Sequence, residues 1–186
     1  MNWKNMKNKT YLQKLIYTAF FSALMIVGAY VKIPTPFSPV PITLQTLFVL
    51  LSGAVLGPVF GAVSQIIYIM LGVAGFPIFA SSLTGPMVLA GPTGGYLIGF
   101  VICAFVVGLL CQITTLRAYL KVVIWFYMGV FVVGTIIIYV FGAAGLMLFM
   151  KISFTKAVTI GVLPFIIGDI LKIIAAAYLI EKIKIK

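Results

Sequence analysis

Apolar and polar positions alternate in long blocks along this chain. Residues 1–14 are polar and basic, with Lys4, Lys7, Lys9 and Lys14, and an apolar run follows at 15–31. The next block, KIPTPFSPVP at 32–41, carries four prolines, and these exclude a regular helix. Each proline removes a backbone donor and biases the residue before it away from the α region. Stiff, extended backbone is expected there. Helices are expected at 42–56 and 59–73, divided by a turn at Gly57-Pro58. A second break at 75–91 holds Pro77, Ser81, Ser82, Thr84, Gly85 and Pro86. Helices at 93–113, 122–150 and 157–180 follow, joined by basic loops at 114–121 and 151–156. A bilayer crossing needs about 17–25 residues, so the second and third helices lie at the lower limit. The first run, after its basic start, also fits a signal peptide. Its length and the lack of a clear small-residue cleavage site favour a first span. No internal repeat is visible.

Composition makes the membrane the solvent. Of 186 residues, 63% are hydrophobic and 8% are charged, against about 25% charged in a soluble domain. Mean hydropathy is +1.27. The expected fold is an all-α integral membrane protein, one membrane domain over 1–186 with six transmembrane helices. Lys and Arg total 13 and Asp and Glu total 2, a net charge of +11. A nucleic-acid surface would gather that charge on one solvated face. Here it sits at the ends of apolar runs, the signature of the positive-inside rule. With a cytoplasmic N-terminus, Lys4, Lys7, Lys9, Lys14, Arg117, Lys121, Lys182, Lys184 and Lys186 lie inside, and Lys32, Lys151 and Lys156 lie outside. Lys172 falls within a span. Both termini are then cytoplasmic, and both proline-rich breaks face outward from a multi-pass cell-membrane protein.

The inventory of reactive groups is short. There is no histidine, and Cys103 and Cys111 lie eight residues apart in one apolar run. On a helix that is about 12 Å, too far for a disulfide. No metal site can be assembled from these residues. No histidine base, second carboxylate near Asp169 or base-paired serine is present, so no catalytic set stands out and an enzyme is not expected. The Gly-Lys-Ser/Thr ending of a phosphate loop is missing too. Uphill transport would therefore draw on an ion gradient or on a partner.

The sharpest feature is Gly168-Asp169-Ile-Leu-Lys172. Asp169 is the one acidic residue within a span, and Lys172 lies a turn away on the same helical face. A charge at mid-membrane costs about 2.5–3.5 kcal/mol even on the lenient insertion scale, and such residues mark substrate or ion paths. The alternative is a structural ion pair that locks the last helix in place. A carboxylate that only accepts and an ammonium with three donors suit a small ligand bearing both N–H and C=O. Pro164 could kink this helix and free carbonyls. Thr43 and Gln45 open the second helix as pocket or capping groups. Gly91-Pro-Thr-Gly-Gly95-Tyr96 opens the fourth, where Tyr96 could stack on a ring or sit in the aromatic belt. The two proline-rich loops are candidate walls of an outward-facing pocket or plain connectors. Ala19 and Ala23 form a small-xxx-small pair, for which packing within the chain is the default on spacing alone.

Three stretches are more specific. PITLQTLFVLLSGAVLGPVFGAVSQIIYIMLGVAGFPIFA, GPTGGYLIGF and FIIGDILK together resemble the BioY family, the biotin-specific substrate-binding (S) components of energy-coupling-factor transporters. The resemblance covers nearly the whole chain. It implies a six-helix bundle with a biotin pocket near the outer face, capped by the first and third loops. It implies no cofactor and no ATPase in this chain. Energy would come from a module of a transmembrane coupling subunit and two ATP-binding subunits, although some members of the family work without it. A stand-alone, ion-coupled transporter therefore stays open. By position, Asp169 and Lys172 would hold the fused ureido ring, with Gln45, Thr43 and Tyr96 lining the pocket. Ala19 and Ala23 match the Ala-x-x-x-Ala motif that docks on the coupling subunit. The loop FASSLTGPMVL departs from the glycine-richer family pattern, which leaves its contacts open, with Ser81 and Ser82 as candidate donors.

Overall fold

The computed structural model describes residues 3–81, 84–114 and 123–184. Ser82, the loop carrying Arg117 and Lys121, and Lys186 lie outside them. The first helix, α1 (Trp3–Tyr30), begins well before the expected residue 15, because the basic leading segment contains no proline or glycine to stop it. The proline segment is a hairpin and not one extended rod. Lys32–Ile33 (β1) pairs antiparallel with Ile42–Thr43 (β2), Lys32 opposite Thr43 and Ile33 opposite Ile42. All four prolines lie between the paired residues, where a missing N–H breaks no ladder bond. Among the described residues the fold is thus helical with one minimal sheet, not wholly α.

This hairpin uses residues 42–43, so α2 (Gln45–Leu56) starts later than expected. Gly57 adopts φ 80°, a left-handed turn that favours glycine. Pro58 then opens α3 (Pro58–Val73), where its fixed φ suits the first helical position. Next come α4 (Gly94–Thr114) and α5 (Val123–Met150). Among the described elements α4 is central, packed on α2, α3 and α5. Its crossing with α5 is a backbone contact: a Cβ on Gly145 would stand 2.8 Å from the Cα of Gly95. Lys151 turns the chain out of α5 with φ 52°. The Ser153 hydroxyl then accepts the Lys156 N–H at 3.4 Å, capping the next helix.

The expected single helix at 157–180 is two helices. α6 (Phe154–Gly161) and α7 (Ile166–Lys184) are separated by a 3-10 turn at Leu163–Phe165. Pro164 supplies the reason, since it has no N–H and its ring clashes with the preceding turn. Among the described residues, four helical stretches are long and apolar enough to cross a membrane: Tyr11–Tyr30, Gly94–Gln112, Ile124–Met150 and Phe154–Lys182, the last including the break. α2 and α3, of 12 and 16 residues, are shorter apolar helices. The outward surface remains apolar, with Phe20, Val132, Ile136, Leu148, Ile167 and Leu171 all exposed. A lipid environment tolerates such a surface.

Inside, α1, α2 and α3 share a buried polar seam. Ser22 donates to the Ser64 carbonyl at 2.8 Å, tying α1 to α3. Gln65 Nε2 donates to Ser52 Oγ and Ser64 Oγ, both at 3.0 Å. Ala19 and Ala23 are exposed on α1, flanking the buried Thr18 and Ser22. Among the described residues the alanine pair therefore buries no helix contact, contrary to the default for its spacing.

Candidate functional site

The cavity is built where the starts of α2 and α4 meet the middle of α5 and the first turns of α7. It holds about 580 Å³ of empty space, part of it open to the outside. Thr43, Gln45, Ser81, Tyr96, Asp169 and Lys172 all line it, so the site residues expected from sequence and described here converge on one space. Ser82 lies outside the described residues.

Asp169 and Lys172 form part of its wall. They are only 3% and 8% exposed, and Lys172 Nζ stands 2.7 Å from Asp169 Oδ1. The i,i+3 spacing on α7 fixes that contact locally. Two further side chains, which the sequence reading missed, complete the network. Thr46 Oγ1 donates to Asp169 Oδ1 at 2.9 Å and accepts from Lys172 Nζ at 2.9 Å. Tyr139 OH, from α5, donates to Asp169 Oδ2 at 2.7 Å. The charged pair thus pins α7 to α2 and α5 while one side faces the cavity. It is a structural ion pair and a cavity wall together. Thr46 sits inside the TLQT stretch and was one position from a chosen residue. Tyr139 is one of nine tyrosines and lies in an apolar helix, where nothing local marks it.

The other chosen residues are partly engaged in support. Gln45 Nε2 donates to Tyr68 OH at 2.8 Å, and Tyr68 OH donates to the Ile78 carbonyl at 3.3 Å. This chain joins α2, α3 and the loop beyond α3. Thr43 Oγ1 accepts from the Gln45 N–H and donates to Gln45 Oε1, each at 3.3 Å. It takes up the first N–H of α2 and also lines the cavity. Tyr96 packs its ring over Gly142 and donates its hydroxyl to the Gly161 carbonyl. That carbonyl is open because the Phe165 N–H turns to Val162. The break at Pro164 does free a carbonyl, and Tyr96 takes it. Cys103 and Cys111 are buried, form no disulfide and do not line the cavity. Among the described residues no cluster of metal ligands occurs.

A bundle of apolar helices enclosing a small polar-ended cavity is the architecture of a membrane-embedded solute-binding component. A solved structure supports this class: the S-component for biotin from an ECF-type ABC transporter, with a TM-score of 0.87 and 27% identity, matched over 96% of this chain and 94% of that one. The chain belongs to the BioY family, whose model matches residues 4–186. It is 39% identical over 173 residues to the biotin transporter BioY of Thermotoga maritima, covering 93% of this chain and 96% of that protein. It is also 39% identical over 170 residues to the probable biotin transporter BioY of Pyrococcus horikoshii, covering 89% and 93%. Against the biotin transporter BioY of Lactococcus lactis it is 30% identical over 185 residues, covering 96% and 94%. These relatives are named as transporters, not enzymes, and the chain is a multi-pass membrane protein.

Proposed function

We propose that this chain binds biotin in the cavity between α2, α4, α5 and α7, as the substrate-binding subunit of an ATP-driven vitamin importer. The observation that carries the reading is the Asp169–Lys172 pair, nearly buried yet lining a cavity. A ureido ring presents N–H donors and one strong C=O acceptor. Asp169 accepts from its N–H, and the Lys172 N–H not spent on Asp169 and Thr46 reaches its carbonyl. Thr43, Gln45, Tyr96 and Ser81 line the rest. Biotin is the substrate named for the relatives and for the solved S-component.

In this reading α2 and α3 complete six crossings, both termini are cytoplasmic and the cavity opens outward. The basic residues at the ends of the apolar runs support that orientation. The exposed Ala19 and Ala23 face of α1 docks on a transmembrane coupling subunit, and two ATP-binding subunits supply the energy. Isothermal titration of the detergent-solubilised chain is the test: one-to-one binding of biotin and none of thiamin is expected. A folded sample that ignores biotin ends the proposal. For the partner half, Ala19→Trp should abolish ATP-driven uptake in co-reconstituted vesicles and leave titration unchanged, because bulk prevents close helix approach. Uptake by the chain alone, abolished by a protonophore, would assign a stand-alone ion-coupled transporter instead.

A further inference from the structure

The polar groups that line the cavity differ in how far they are satisfied. Around α7, Asp169, Lys172, Thr46 and Tyr139 all have partners. In the loop between α3 and α4, the Ser81 hydroxyl oxygen lines the same cavity and is buried without a hydrogen-bond partner among the described residues. Buried hydroxyls are ordinarily satisfied, so an open one lining a cavity points to a ligand atom.

A cation stands beside it. Lys32 Nζ donates to the Ala80 carbonyl at 2.9 Å, one peptide unit from Ser81. The Lys32 backbone pairs with Thr43, and Thr43, Ala80 and Ser81 all line the cavity. Tyr30 OH donates to the Pro77 carbonyl at 2.6 Å and fastens the same loop to the end of α1. The ammonium keeps further N–H donors after meeting Ala80. Neither acidic side chain serves it. The chain has two acidic residues in all. Asp169 is paired with Lys172, and Glu181 lies some three turns further along α7.

A tethered ammonium next to an unspent hydroxyl is a set of donors lacking an anionic oxygen. We infer that Lys32 and Ser81 form a carboxylate-reading subsite at the rim of the cavity, which selects the free acid over its neutral derivatives. The inference rests on the biotin reading and deepens it. The ureido ring goes inward to Asp169 and Lys172, and the valerate carboxylate ends at the rim. Amides and esters of the same acid keep the ring contacts and lose the charged one.

Titration with biotin and with biotinamide, its neutral primary amide, tests this on the full chain. The wild type should bind the acid at least about tenfold tighter than the amide. Lys32→Gln combined with Ser81→Ala should weaken the acid by about tenfold and shift the amide by less than about threefold, so the preference collapses. Equal affinity of the wild type for acid and amide overturns the subsite and leaves biotin binding standing. So does an equal loss of both ligands in the double variant, since that marks the pair as a mere tether of the loop. A wild type that binds neither ligand overturns the biotin reading, and this subsite with it. Lys32→Arg should restore the preference for the acid, because it keeps the charge; failure to do so in a variant that still binds the amide also counts against the subsite.

Discussion

Two buried polar clusters hang from α2, about two turns apart. One joins Thr46 to Asp169, Lys172 and Tyr139; the other joins Ser52 to Gln65 and Ser64. Both are nearly shielded from the outside, and both tie α2 to its neighbours. They differ in charge and in what they face. The first carries an ion pair and forms a wall of the cavity, whereas none of Ser52, Ser64 or Gln65 lines it. The second is neutral, and its hydroxyls also donate to carbonyls one turn back, Ser52 to Val49 at 2.8 Å and Ser64 to Gly61 at 2.7 Å. Burial of polar groups therefore does not by itself define a site here. A charge that a bilayer penalises, set against space that a ligand can fill, does.

The contrast can be broken most forcibly at Asp169. Asp169→Asn removes the counter-charge of Lys172 and an acceptor facing the ligand, and biotin binding should weaken by more than about tenfold, or about 1.4 kcal/mol. Unchanged titration of that variant would return the pair to a purely structural role. Tyr139→Phe takes one donor from Asp169 Oδ2 and leaves the ion pair. A hydrogen bond to a charged group is worth about 1.5–3 kcal/mol, and part of that loss should pass to the ligand as a drop of roughly three- to tenfold in affinity. An effect as large as that of Asp169→Asn would mean that Tyr139 touches the ligand itself. The smallest change is expected in the neutral seam. Gln65 Oε1 is buried with no partner among the described residues, and Ser52 and Ser64 keep their carbonyl bonds when the amide is removed. Gln65→Leu should therefore leave titration within about twofold and the thermal midpoint level or raised, because it deletes an unsatisfied polar atom. A marked loss of binding would extend the site down the seam.

Much of this was legible in the chain before any tertiary information. The six apolar runs were readable because bilayer crossing sets a length and a composition. The glycine and proline boundaries were equally plain, except where they combined with pairing. The hairpin at Lys32–Ile33 and Ile42–Thr43 joins residues across the proline segment, and no periodicity signals a pairing two residues long. Pro164 announced a disturbance, and only the structure showed a full break with α6 as a separate helix. In the site, Asp169 and Lys172 stood out as charges in an apolar run. Tyr139 and Tyr68 did not, since tyrosine in a membrane helix is unremarkable on either face.

What the sequence determined alone is what depends on local spacing or on solvent. Lipid as the surroundings follows from the scarcity of charge. The Asp169–Lys172 contact follows from an i,i+3 separation on one helix. Which faces meet was decided only by tertiary structure. A soluble helix encodes its inward face as an apolar stripe, but helices such as α5 are apolar all round, so nothing in their pattern says that Tyr139 points at Asp169. The same absence of a stripe hid that Ala19 and Ala23 look outward while Thr18 and Ser22 look in. In an apolar helix the choice of face rests on close packing of small residues and on buried hydrogen bonds between segments far apart in the chain, and these exist only once the bundle has assembled.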